Sequence, residues 1–370
     1  MADRVLLETA QTSPTGKERN NSSLIRFRSG QGFLFLGLSN IMIQLIDAYN
    51  RHINYLRISV TDRCNLRCIY CMPKEGISLL GHNDILHYEE LLRIARIAAA
   101  KGISKIRITG GEPLVRKGLV EFIAELAALE GITDLSMTTN GILLGSAAEA
   151  LRKAGLKRLN ISLDTLNHEK YEMITRGGNI NQVLEGIKIA NGAGFSPLKI
   201  NMVVIRGIND DEITAFAGLS WKHAVHVRFI EYMPIGNENG WCKERFVSTE
   251  EIKKRITALG SLVQIQDNNG AGPAQMFAFP GAPGKLGFIS SISSHFCATC
   301  NRLRLTADGK LRTCLFSDAE VDLKTPLRNG WSDQELERII TDAILSKPQK
   351  HHAAEPVFKK CARGMSAIGG

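Results

Sequence analysis

A chain of 370 residues is long enough for one large α/β barrel of roughly 250 residues or for two ordinary domains, and its 44% hydrophobic and 22% charged residues exclude a disordered or low-complexity protein. The 46 Lys and Arg against 37 Asp and Glu leave a net charge of +9, which suits an anionic partner, whether nucleic acid, a phosphate ligand or a membrane surface, without choosing among them. The longest apolar patch near the N-terminus, residues 32–38, falls far short of the ~18 residues of a membrane span, so a cytoplasmic protein without a membrane partner is expected.

Residues 1–41 join polar, turn-prone stretches such as Thr12-Ser13-Pro14 and Asn20-Asn21-Ser22 to that patch in the wrong order for a signal peptide. They read as a disordered arm or as upstream sequence, with the organised chain beginning near Met42. Residues 55–60 alternate in the manner of a strand, and a cysteine loop follows at its C-terminal end, where barrel active sites sit. Apolar spacings of three and four predict a helix over 88–101, and the rhythm continues with a strand at 105–109, a helix at 117–129 and a strand at 133–138. A helix at 145–155, a strand at 157–163, a helix at 181–193, strands at 197–205 and 225–231, and a helix near 210–222 between them complete the series. Six strands linked this way imply a parallel α/β array, best read as an open (βα)6 barrel over residues 42–240. The rhythm then changes. A helix opens at Thr249 behind Ser248, Gly/Pro-rich sequence runs from 268 to 287, and strand-like segments at 287–290 and 302–305 flank a second cysteine group, so residues 241–370 read as a smaller α+β region against the barrel mouth.

Six of the eight cysteines fall into two groups, Cys64, Cys68, Cys71 and Cys297, Cys300, Cys314, while Cys242 and Cys361 stand apart. Grouping without a secretion signal argues for metal and a reducing compartment. The C-x3-C-x2-C loop offers three thiols where a [4Fe–4S] cube usually takes four, which leaves one iron open for chemistry; a structural zinc wants four closed ligands, and no fourth Cys or His lies near. After the second strand, Gly110 and Gly111 allow a close backbone approach to a ligand and Glu112 offers a carboxylate to an ammonium group. The second group also supplies three thiols, for a cluster or for a zinc completed by His295. In Arg302-Leu303-Arg304 the two arginines alternate along the strand and project to one side, beside the thiols, which fits an anionic substrate because guanidinium matches phosphate oxygens bidentately.

The cysteine spacing and Tyr70 resemble the radical S-adenosylmethionine (SAM) superfamily. Across residues 42–370 the chain is similar to the GTP 3′,8-cyclase (molybdenum cofactor biosynthesis protein A) family, through Leu56-Arg57-Ile58-Ser59-Val60-Thr61-Asp62-Arg63-Cys64, Arg107-Ile108-Thr109-Gly110-Gly111-Glu112-Pro113-Leu114, Thr138-Thr139-Asn140-Gly141, Asn160-Ile161-Ser162-Leu163-Asp164, Arg228-Phe229-Ile230-Glu231-Tyr232-Met233, the second cysteine group and Gly369-Gly370. The resemblance implies a partial TIM-type barrel and two [4Fe–4S] clusters, with Cys64, Cys68 and Cys71 on the cluster that binds SAM and Cys297, Cys300 and Cys314 on the one that meets GTP. It also implies that Tyr70, Gly110, Gly111, Glu112, Ser162 and Met233 hold SAM, and that Arg57, Lys105, Arg107, Thr138, Lys199, Arg302, Leu303 and Arg304 hold GTP. Arg57, Arg302, Arg304, Gly369 and Gly370 would take part in catalysis, the tail reaching into the site. The implied reaction gives (8S)-3′,8-cyclo-7,8-dihydroguanosine 5′-triphosphate, with cyclic pyranopterin monophosphate synthase downstream, a flavodoxin or ferredoxin as electron donor, and a homodimer. Two rivals remain: a peptide-maturing radical SAM enzyme with an auxiliary cluster, and a zinc protein that binds nucleic acid.

Overall fold

Alternation along the strands decides this architecture. The computed structural model describes residues 45–370 apart from 237–239, 267–271, 354, 356–359 and 370; the arm expected at 1–41 lies outside them. The six expected strands form: β1 Tyr55–Ser59, β2 Lys105–Thr109, β3 Asp134–Thr139, β4 Arg158–Ser162, β5 Lys199–Val204 and β6 His226–Glu231. They lie side by side in chain order and are all parallel. Between them run α1 Tyr88–Ala100, α2 Leu119–Ala127, α3 Leu144–Lys153, α4 His168–Thr175, α5 Ile180–Gly192 and α6 Ile213–Lys222. The open partial barrel expected from the sequence is therefore the fold observed.

Later elements extend both sides of this array. After α7 Thr249–Ile256 come β7 Val263–Gln264, β8 Gln275–Ala278, β9 Lys285–Ile289, β10 Arg302–Leu305, β11 Lys310–Arg312 and β12 Val321–Asp322, followed by α8 Lys324–Arg328, α9 Asp333–Leu345 and α10 Met365–Ile368. β10 pairs parallel with β1, and β9 pairs parallel with β6. The antiparallel strands β11 and β12 continue outward from β10, and β8 and β7 from β9, giving one sheet of 12 strands.

One face of the array is apolar. Leu56, Ile58, Ile106, Ile108, Leu159, Ile161, Ile200 and Phe229 are buried in one continuous core, together with residues such as Leu91, Ile94 and Phe122 of the flanking helices. The opposite face is polar, which is unusual for a parallel sheet covered on both sides, whose strands commonly read as continuous apolar runs. Helices α4, α8, α9 and α10 have no counterpart in the expected series. α4 is a single short amphipathic stretch capped by Asn167, whose side chain accepts from the Lys170 N–H at 2.9 Å. α9 starts at a capping box, in which the Glu335 N–H donates to Ser332 Oγ at 3.3 Å and the Ser332 N–H to Glu335 Oε2 at 2.7 Å. Among the described residues no helix is long and apolar enough to cross a membrane.

Candidate active site

Strand register builds the site in rows, because residues opposite one another in neighbouring parallel strands point to the same face. One row runs Arg302, Tyr55, Lys105, Asp134, and the next Arg304, Arg57, Arg107, Ser136, Arg158. Further along, Ser162, Asn201 and Arg228 share a row that ends at Gly287, where a Cβ would stand 3.1 Å from Arg228 Cγ. Apart from Ser136 and Gly287, all of these line a cavity of about 590 Å³, and Thr138 and Lys199 line it as well. That volume lies within the range of about 300–1,000 Å³ typical of small-molecule sites.

Cys64, Cys68 and Cys71 line one end of this cavity. Burial pushes the Cys68 thiol well above its usual range, and burial with the neighbouring Cys64 brings Cys71 to about 12. Three adjacent thiols that each resist ionisation suit bound cationic iron, which would hold them as thiolates. Tyr70 donates its hydroxyl proton to Asp164 Oδ2 at 2.5 Å. Asp164, raised by burial to about 6, also accepts from the Val203 N–H at 2.8 Å. The loop is thereby pinned to the ends of β4 and β5.

The glycine turn lines the cavity and packs tightly on the main chain beside it. A Cβ on Gly111 would lie 2.4 Å from the Arg63 carbonyl oxygen, and one on Gly110 would lie 2.8 Å from that of Thr61, so both glycines are required by the main chain entering the cysteine loop. Glu112, expected to meet an ammonium group, is fully buried and already engaged. It accepts from Thr139 Oγ1 at 2.8 Å, the Asn140 N–H at 2.7 Å and the Leu114 N–H at 3.1 Å. Ser162 and Met233 line the cavity near this end.

Arg302 and Arg304 face the cavity as expected, whereas the Leu303 side chain is 1% exposed in the core, so Leu303 can offer a ligand only its main chain. Arg302 lies over Phe296, with its guanidinium carbon 4.5 Å from the ring centroid. Burial, then Arg304 and Arg107, pull the Arg57 guanidinium well below its ordinary value. Burial followed by Arg302 lowers Arg304 to about 10. Arg304 Nη1 donates to the Gly369 carbonyl at 2.7 Å, which ties the tail to a residue of the cavity wall; Gly370 lies outside the described residues.

The second thiol group does not itself line the cavity, but its neighbours Phe296, Arg302 and Leu315 do. Cys314 lines a smaller space of about 250 Å³ with Phe316, His351 and Cys361. The three thiols are near one another: burial raises Cys297, and Cys314 and Cys300 add to the effect. Burial pushes Cys300 up as well, but Arg302 and Lys347 outweigh it and leave this thiol at about 7. Among the described residues no three His, Cys, Asp or Glu side chains converge as they would around a single ion. In a [4Fe–4S] cube each thiolate binds a separate iron, a role that three grouped thiols can fill.

Several site residues went unread in the sequence. Arg158, Asn201 and Arg228 line the cavity, and each alone resembles an ordinary strand residue. Lys347 is buried and donates from Nζ to the Arg302 carbonyl at 3.1 Å and to that of Thr313. Arg51 holds the Cys297 carbonyl at 2.9 Å and the Pro348 carbonyl at 2.8 Å. Four of the lining residues also carry a buried polar atom with no hydrogen-bond partner among the described residues: Tyr55 OH, Thr138 Oγ1, Asn201 Oδ1 and Ser366 Oγ.

Comparison with known proteins agrees with this arrangement. Residues 58–219 match the Radical SAM superfamily, and residues 225–353 match the family described as Molybdenum Cofactor Synthesis C. The GTP 3′,8-cyclase of Thermodesulfovibrio yellowstonii is 56% identical over 326 residues, which is 88% of this chain and 99% of that protein. That of Pelotomaculum thermopropionicum is 52% identical over 325 residues, with the same coverage. Among solved structures, Streptococcus suis SuiB bound to S-adenosylmethionine superposes with a TM-score of 0.58 at 15% identity, covering 83% of this chain and 69% of that one, a likeness of fold alone. With two cysteine groups, an inward-facing set of cations and relatives matched over nearly their whole length, the chain belongs to the GTP 3′,8-cyclase family of the radical SAM superfamily.

Proposed function

We propose that this chain is a radical SAM GTP 3′,8-cyclase, a lyase that converts GTP and SAM to (8S)-3′,8-cyclo-7,8-dihydroguanosine 5′-triphosphate, 5′-deoxyadenosine and methionine in the first step of molybdenum cofactor biosynthesis. The observation that carries this reading is the run of cations in register, Arg302, Lys105, Arg304, Arg57 and Arg107, turned into a cavity that ends at three thiols. Cations enclosed in this way suit a small polyanion better than the extended backbone of a nucleic acid.

In this reading residues 42–240 are the barrel core and residues 241–370 bring the second cluster. Cys64, Cys68 and Cys71 hold one [4Fe–4S] cluster, with SAM against Tyr70, Gly110, Gly111, Ser162 and Met233. Cys297, Cys300 and Cys314 hold the other, toward the guanine base. When bound, the clusters and SAM supply one-electron reduction and hydrogen-atom abstraction from the ribose. The chain's own residues bind, orient and exclude water. Arg57, Lys105, Arg107, Lys199, Arg302 and Arg304 neutralise the triphosphate, Thr138 offers its free hydroxyl, and Glu112 fixes the glycine turn beneath the cysteine loop. Gly369 and Gly370 close the site, held by Arg304 through the Gly369 carbonyl. Cyclic pyranopterin monophosphate synthase takes the product, a flavodoxin or ferredoxin supplies the electron, and the protein works in the cytoplasm as a homodimer.

Anaerobic reconstitution with iron, sulfide, SAM, dithionite and GTP tests the reading. The expected result is about eight irons per chain and 5′-deoxyadenosine formed in step with GTP consumption. Cys314→Ala should keep about half of the iron and form 5′-deoxyadenosine without cyclised product. A protein with both clusters that makes 5′-deoxyadenosine while leaving GTP untouched would sink the proposal.

A further inference from the structure

Tyr55 has no part in the reading above, although it lines the cavity wall. Register places it between Arg302 of β10 and Lys105 of β2, with all three side chains facing the cavity. The guanidinium carbon of Arg107 lies 5.5 Å from its ring centroid. The residue is only 6% exposed, and its hydroxyl is buried with no hydrogen-bond partner among the described residues.

A buried tyrosine hydroxyl usually finds a partner, because an unmade hydrogen bond costs the full desolvation of the group. Here the ring packs beneath Arg107 and lines a cavity whose wall carries Arg57, Arg107, Arg158 and Arg302 as well as Asp134, and the hydroxyl makes no hydrogen bond to any of the described residues. The field at the oxygen narrows the choice of partner. Burial pushes this phenol up, but Arg107, Arg57, Arg158 and Arg302 outweigh it and hold it below its ordinary range. A phenol in such a field is a strong donor, and the acceptor that the surrounding cations retain is an anionic oxygen. A neutral base edge, with only partial charge on its acceptors, gains less from that field than a phosphate oxygen does.

We infer that the Tyr55 hydroxyl donates a hydrogen bond to a phosphate oxygen of the nucleoside triphosphate, which makes Tyr55 a substrate-binding residue alongside the arginines. The inference deepens the GTP reading and rests on it for the identity of the nucleotide. Phe at this position keeps the ring under Arg107 and removes only the oxygen, so the fold and the cluster content should be unchanged. The test titrates anaerobically reconstituted wild type and Tyr55→Phe with GTP, inorganic tripolyphosphate and guanosine.

The expected result is about tenfold weaker binding of both GTP and tripolyphosphate by Tyr55→Phe, with guanosine unaffected, as a lost bond to a charged acceptor implies. Equal tripolyphosphate affinity in the two proteins assigns the hydroxyl to cavity water and overturns the inference. Guanosine weakened as much as GTP moves the contact to the base or ribose and overturns it too, as does a wild type that binds no tripolyphosphate. A wild type that ignores GTP but binds tripolyphosphate in a Tyr55-dependent manner removes the nucleotide assignment and leaves the phosphate contact standing.

Discussion

At the scale of single residues, the site joins groups that each look unremarkable in sequence. Arg304 serves both the cavity and the tail, since the guanidinium lining the wall also holds the Gly369 carbonyl. Arg304→Ala should lower GTP turnover by roughly ten- to hundredfold, the cost of one buried charged hydrogen bond, and should quicken carboxypeptidase removal of the tail, read by mass spectrometry. Arg57→Met removes one of the cations that line the cavity and should abolish GTP consumption while the iron content stays unchanged. Glu112 gives a pH signature. Burial raises it to about 7 from an ordinary 4.5, so the folded state holds a proton that the unfolded chain has released. Its contribution to stability is complete below the lower value and is lost as pH rises through the upper one. Urea midpoints of wild type should fall across that window more than those of Glu112→Gln, whose amide cannot titrate. The thiols and the Arg302–Arg304 pair were legible because their spacing is rare. Arg158, Lys347 and Tyr55 were not, because a lone charge or aromatic residue in a strand has many ordinary explanations until its neighbours across the sheet are known.

At the scale of elements, periodicity located the strands and helices that face a large apolar surface and missed those that do not. β7, β11 and β12 have two or three residues each, too few for alternation to register. α4 is only 8 residues long with a weak apolar stripe. α9 is different, since its Ser332–Glu335 capping box and the buried Leu336, Ile340 and Ile344 carry a readable signal that the nearby cysteine pattern overshadowed. This helix packs on α1 and on β11, the neighbour of the arginine strand. Ile340→Ala should therefore cost about 2–5 kcal/mol of stability. It should also loosen the second cluster before the first, seen as earlier loss of half the iron on mild warming.

At the scale of the whole molecule, the sheet is completed by strands from the far end of the chain: β10 seals the β1 side of the barrel and β9 seals the β6 side. Because both strands arrive late, β1 stays an open sheet edge while the ribosome adds roughly 250 further residues, or some 12–50 s at ordinary rates of translation. During that interval three thiols and a row of unpaired backbone groups are accessible together. Cluster insertion from a scaffold thus has a natural window on the nascent chain. Once β10 docks and the tail engages Arg304, the same thiols are left only partly exposed, at one end of the cavity.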